Sequence, residues 1–314
     1  MAAAQRRRRQ REGRRALSAV GEPVRSRPVP GGRLGQGLSV RLPRRWCLLS
    51  HSAAALAAAG GIAGLLAGDL IYGGETAVLA DAAMAQDAVN LVLLAPLLVL
   101  LGTAAVRGSP GAYLVWLGCL WFAVYNYAIY AFSVHFGPLF LLWLAVLGLS
   151  TFAVVGGTSS LRVAAIEARY AGRRMPVVGW LLIVVATLFA ALWLREIVAD
   201  LLAGGMSRSA SDWKVPTNPV HVLDLAVFLP GVATTGVLLL RRHPLGYATA
   251  PGQLVFLALT CVPIMVTPLV AHLRGHEPGW LVVIPVGVVL AAAVIALLRT
   301  LRGMALAPTA PAVR

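Results

Sequence analysis

The residues best suited to chemistry stand at the start of an apolar run near the middle of the chain. His221 and Asp224 open a stretch of membrane-spanning length, and their three-residue spacing puts them on one face of a helix. Asn218 and Pro219 come just before them, as is typical of a helix N-terminus. Ionisable side chains are costly in lipid, so this pair just below a membrane surface indicates a functional site.

Further polar side chains are expected at a similar depth on other helices. Two of them open the second apolar run, two lie near the outer end of the third, and one lies near the outer end of the fifth. We therefore predict an outward-facing ligand-binding pocket, which these residues line together with the first pair: Asp87, Asn90, Tyr125, Asn126, Arg195, His221 and Asp224. Within it we expect Asp87 and His221 to form a coupled acid–base pair.

The composition places these residues in a membrane protein. Hydrophobic residues make up 59% of the chain and charged residues 12%, and the mean hydropathy is +0.79. That leaves too little polar surface for a soluble globule. We predict an all-α integral membrane protein with eight transmembrane helices, from windows of about 20 apolar residues. The windows lie near 48–70, 87–106, 112–133, 138–157, 178–201, 220–240, 251–271 and 279–299.

Basic charge is concentrated at the N-terminus. Residues 1–46 hold 13 arginines against two glutamates, which accounts for +11 of the net charge of +15. We predict that residues 1–45 are a disordered cytoplasmic tail that contacts anionic lipid headgroups, with no nucleic-acid partner. Residues 304–314 are predicted to be a disordered C-terminal tail. The positive-inside rule puts both termini in the cytoplasm, and we expect the plasma (inner) membrane as the location.

The chain matches itself at an offset of 134 residues, the separation of Pro96 from Pro230. The same offset aligns Gly102 with Gly236, Arg107 with Arg241, Pro110 with Pro244, Tyr113 with Tyr247, Asp87 with His221 and Asn90 with Asp224. We predict two tandem four-helix repeats, residues 46–157 and 178–303, related by a pseudo-two-fold axis along the membrane normal. Helices two and six are expected to face each other near this axis. Residues 158–177 are predicted to form a cytoplasmic interfacial linker helix.

Three classes of function stay open. The first is binding or transport of a small solute or a lipid headgroup in the outward pocket, a site that duplicated transporters commonly have. The second is an outer-leaflet enzyme with a metal or acid–base site, in which His221 and Asp224 are joined by Asp87, or by Glu75 and His276. The third is a structural or sensory subunit whose polar cluster only locks the bundle. No dense ligand motif such as HExxH occurs, so neither a metal nor a cofactor is assigned.

Overall fold

The structure is a computed structural model that describes residues 40–170 and 172–305. It contains eight helices long and apolar enough to cross a membrane, and the described residues include no β-strand. The predicted all-α, multi-pass architecture is thereby confirmed. The helices are α1 Arg44–Leu66, α2 Ala77–Val106, α3 Pro110–Ser133, α4 Phe140–Ser160, α5 Pro176–Leu202, α6 Pro219–Leu240, α7 Pro244–Leu273 and α8 Trp280–Met304.

The core of the bundle is built around α3 and α7. In α3, 78% of the most apolar window is buried, against 17% in α8, which packs chiefly on α7 and offers most of its surface to lipid. Gly118 of α3 and Gly252 of α7 lie where these helices cross, and a Cβ on Gly118 would stand 2.7 Å from Cα of Gly252. The lack of side chains lets the two backbones approach closely. The expectation that α2 and α6 face each other is therefore wrong, because α3 and α7 hold that central place.

Helices α2 and α6 each contain a π-helical segment, Asn90–Leu94 in α2 and Asp224–Phe228 in α6. Two residues after the end of each segment comes a proline, Pro96 or Pro230. Proline lacks an N–H, and its ring clashes with the carbonyl four residues earlier, so a widened turn before it relieves the clash. The two segments start 134 residues apart, which fits the predicted register. The tandem duplication itself stays a prediction.

Helix α2 begins ten residues before the predicted position. Thr76 caps it by accepting a hydrogen bond from Leu79 N at 3.3 Å, and the helix starts at Ala77. Alanine-rich sequence carries the helix through Asp81 and Gln86, which only lower the local hydropathy. Asp87 therefore lies about 15 Å into α2, at 1.5 Å per residue, and does not open the helix as predicted.

The N-terminal tail ends earlier than predicted. Val40 and Leu42 are buried against the bundle, and Leu42 N donates a hydrogen bond to Ala105 O at 3.2 Å. Two apolar residues in alternation are enough to dock this short extended stretch, and α1 follows at Arg44. At the other end, α8 runs through Met304. The rest of the two predicted tails, residues 1–39 and 306–314, lies outside the described residues.

The linker between α4 and α5 is less helical than predicted. Helix α4 continues to Ser160, and Val163–Arg169 is the helix that follows before α5. The Ser160 hydroxyl donates to Gly156 O at 2.7 Å and accepts from Trp46 Nε1 at 3.1 Å. This hydroxyl thereby joins the end of α4 to α1.

Candidate functional site

A cavity of about 330 Å³, here called the main cavity, lies at the end of the bundle where α6 begins. Its walls come from α2, α3, α5, α6 and α7, and from the short helix Arg208–Trp213 in the loop between α5 and α6. The lining is mostly apolar and aromatic. Apart from tyrosine, its polar side chains are Gln86, Asn126, Ser133, Glu196, Ser209, Asn218, His221, Thr260 and Thr267. Apolar walls with a few polar groups are the usual form of a small-molecule site.

His221 lies in the first turn of α6 and lines the main cavity. Asn218 Oδ1 accepts a hydrogen bond from Val220 N at 2.9 Å, so the predicted helix start is confirmed. His221 is 7% exposed, and its imidazole packs against the Trp193 ring with 4.6 Å between centroids. Neither imidazole nitrogen hydrogen-bonds to another described residue. Both nitrogens are thus available to a bound molecule.

Asn126 of α3 also lines the main cavity and is joined to α2. Its Nδ2 donates to Asn90 Oδ1 at 3.0 Å, and Gln86 Nε2 donates to the same oxygen at 3.1 Å. Asn90 lies behind them at the start of the π-helical segment, and its buried Nδ2 has no partner among the described residues. The Asn126 and Gln86 side-chain oxygens accept nothing from the described residues. They add two acceptors to the cavity wall.

Asp87 does not line the main cavity, contrary to the prediction. Tyr72 Oη donates to its Oδ2 at 2.6 Å, and Tyr130 Oη donates to its Oδ1 at 2.7 Å. Gly64 of α1 leaves the space for this carboxyl group, since a Cβ there would overlap Oδ2. Tyr130 lines the cavity, so its ring lies between the cavity and Asp87. The acid–base pair expected between Asp87 and His221 is not formed, because α1 and the two tyrosines enclose the carboxyl group.

Asp224 lies behind the cavity wall too. Trp193 Nε1 donates to its Oδ2 at 2.8 Å, and Tyr125 is near enough to interact with the carboxyl group electrostatically. Trp193 lines the main cavity, so Asp224 holds this aromatic wall in place. No hydrogen bond joins Asp224 to His221 among the described contacts. The carboxylates that act electrostatically on the imidazole are Glu196 and Asp200 of α5.

Arg195 is exposed on α5 and is not part of the cavity lining. It forms no ion pair with a described residue, so it does not neutralise Asp87 or Asp224. The reason is helical geometry: Trp193 and Glu196 share the face that lines the cavity, and Arg195 lies about 200° around the helix from Trp193.

Two groups of ion pairs tie the loops together at this end of the bundle. Asp81 bonds Arg274 Nη1 at 2.6 Å and His276 Nδ1 at 2.7 Å. Glu75 accepts from His135 N and pairs with its Nδ1, both at 2.8 Å. Glu75 and His276, which the sequence suggested as alternative metal ligands, therefore belong to two separate ion pairs. Among the described residues, no three His, Cys, Asp or Glu side chains are grouped to hold a metal ion.

An aromatic cluster lies deeper in the bundle than the main cavity. Tyr125 makes edge contacts with Phe228 and Phe256, at centroid distances of 4.8 and 5.5 Å. Phe228 and Phe256 stack at 4.8 Å with an interplanar angle of 7°. Phe228 ends the π-helical segment of α6. The rings of α3, α6 and α7 thus fill the space below the cavity.

Several lining residues escaped the sequence analysis. Trp193 and Glu196 carry a usable signal, because their three-residue spacing near the end of an apolar helix marks one face. Trp213 has no such signal, since no local pattern shows that a loop helix folds over a cavity. Gln86 was missed because α2 was predicted to begin after it. Comparisons with protein-family models, curated proteins and solved structures found no match.

Proposed function

We propose that this protein binds a small solute or a lipid headgroup in the main cavity. The observation that supports this is His221, whose buried imidazole lines the cavity without a hydrogen-bond partner among the described residues. The imidazole nitrogens are open to the cavity, so they can donate a hydrogen bond to, or accept one from, a molecule bound there. The unused oxygens of Asn126 and Gln86 line the same space.

The lining suggests the chemistry of the ligand. The described residues that line the cavity include no lysine or arginine, and they include one acidic side chain, that of Glu196. A net negative ligand would therefore be buried without a compensating cation, which is unfavourable. Trp193 and Trp213 supply ring faces that favour apolar groups or a cationic amine. We infer a small amphipathic ligand whose polar end is neutral or positively charged.

Binding fits this conformation better than passage through the membrane. The cluster of Tyr125, Phe228 and Phe256 occupies the route from the main cavity to the other side. Transport would require Phe228 to move away from Phe256. The π-helical segment that ends at Phe228 is a place where such a change can occur, because π-helical turns are often found at functional sites.

The test uses purified protein and a panel of probes: choline, tetramethylammonium, small neutral amphiphiles and phosphatidylethanolamine. A probe that binds the wild-type protein is then titrated against His221→Ala and Ala82→Phe. Loss of one hydrogen bond to the ligand should weaken binding roughly tenfold, and Ala82→Phe, which puts a ring into the cavity, should weaken it at least as much. Unchanged affinity in both variants would refute the proposed site.

The matched control is His272→Ala, which removes an exposed histidine outside the cavity lining. This variant should bind the probe as the wild type does. If His221→Ala keeps its affinity and loses only thermal stability, a structural role for the polar cluster is the better explanation.

A further inference from the structure

A second cavity, of about 240 Å³, lies where α5 begins and α8 ends. We call it the arginine cavity, since its lining includes Arg173, Arg174 and Arg299. Glu196, which lines the main cavity, is 20 residues along α5 from Pro176, so the two cavities lie about 30 Å apart along that helix. The arginine cavity is therefore at the opposite membrane surface, at the level of lipid headgroups.

The lining of the arginine cavity is strongly cationic. It contains three guanidinium groups and, among its described residues, no aspartate or glutamate. None of the three arginines forms an ion pair with a described residue. Three positive charges around one space repel one another. An anion bound between them would be attracted to all three and would offset this repulsion. Guanidinium groups match the oxygen atoms of phosphate in planar, bidentate hydrogen bonds.

The N-terminus of α5 contributes to the same cavity. Gly179 N makes the first intrahelical bond, to Met175 O at 3.0 Å, and no side chain of Met175 caps the preceding amides. The amides of Val177 and Val178, which line the cavity, thus lack an intrahelical partner. The start of a 27-residue helix also carries a partial positive charge, so it favours an anion.

Two hydrogen bonds hold the backbone of Arg173 in the arginine cavity. Arg173 O accepts a hydrogen bond from Tyr247 Oη at 2.7 Å, and Arg173 N donates to Tyr170 O at 2.9 Å. Gly303 of α8 lies beside the guanidinium group, since a Cβ there would be in ordinary van der Waals contact with Arg173 Nη1, at 3.6 Å. The backbone from which this guanidinium group extends is thus ordered before an anion binds, which lowers the entropy lost on binding.

We propose that the arginine cavity binds the phosphate group of an anionic lipid headgroup or of a phosphate-bearing solute. This site is independent of the main cavity and of the ligand proposed for it. It also differs from general attraction of basic residues to the membrane surface, because a cavity, a helix N-terminus and three guanidinium groups converge on one place. One anion would then bridge the two arginines just before α5 and the arginine of α8.

The test measures lipid retention by native mass spectrometry and thermal stability in detergent. Phosphatidylglycerol is compared with phosphatidylcholine, and inorganic phosphate with chloride at equal ionic strength. The variant Arg174→Gln/Arg299→Gln should retain phosphatidylglycerol at least fivefold less than the wild type. Its matched control is Arg302→Gln, which removes an exposed arginine of α8 that does not line the cavity and should leave retention unchanged.

The outcomes separate the two sources of phosphate. Retention or stabilisation by phosphatidylglycerol alone identifies a lipid headgroup, and stabilisation by inorganic phosphate that the double variant loses identifies a solute. Equal loss in Arg302→Gln would overturn the proposal, because surface charge would then explain the binding. Equal retention of phosphatidylcholine, or no effect of either phosphate source on the wild type, would overturn it as well.

Discussion

Substitution of Gly64 by alanine tests how α1 encloses the Asp87 carboxyl group. A Cβ at Gly64 would overlap Asp87 Oδ2, stand 2.7 Å from Cγ and lie 3.2 Å from Tyr72 Oη. The carboxyl group must therefore turn and give up at least one of its two tyrosine hydrogen bonds. A hydrogen bond to a carboxylate contributes about 1.5–3 kcal/mol, so Gly64→Ala should lower the free energy of unfolding by roughly that amount.

The expected loss is large enough to measure as a change in Tm. For domains of 150–250 residues, 1 kcal/mol corresponds to about 2–4 °C, so the predicted drop is roughly 3–12 °C. The assay is intrinsic tryptophan fluorescence of the detergent-solubilised protein during heating. Tyr72→Phe, which removes one donor and adds no atoms, should show a smaller drop than Gly64→Ala.

The control for this prediction is Gly148→Ala in α4, where an added Cβ meets no atom within 4 Å. Alanine is about 0.5–1 kcal/mol more favourable than glycine within a helix, so the Tm should stay the same or rise slightly. If Gly64→Ala and Gly148→Ala unfold at the same temperature, the reasoning about the Asp87 carboxyl group is refuted.

Two further predictions concern the N-terminus and the orientation of the chain. Deleting residues 2–36 should leave a folded, inserted protein, because packing in the described chain starts at Val40. By contrast, Val40→Asp buries a carboxylate, so this variant should show a broader size-exclusion peak and a lower Tm. Loss of insertion on deletion would show instead that the segment sets topology. A cysteine that replaces the exposed Asp212 should react with an impermeant thiol reagent added from outside, whereas a cysteine that replaces Arg242 should react only after the membrane is permeabilised. The native cysteines are buried, so they should add little background labelling. The reverse pattern would disprove cytoplasmic termini.

Hydropathy along the chain was enough to place the eight helices. Each span needs about 20 apolar residues whatever its neighbours are, so this property is local. The start of α6 is also local, since Asn218 caps it and Pro219 is tolerated in its first turn. The start of α2 was misplaced because hydropathy reports membrane depth, whereas the alanine-rich stretch from Ala77 forms helix regardless of depth.

The tertiary structure alone decided which polar side chains share a space. His221 and Asp224 are on one helix face, as their spacing requires, but residues three apart still differ by about 60° around the axis. That difference leaves His221 in the cavity wall, while Asp224 bonds Trp193 behind it. In α2, Asp87 is directed to α1 and the tyrosines instead of to α6. The rotation of a helix about its own axis depends on packing against helices distant in sequence, and no local pattern encodes it.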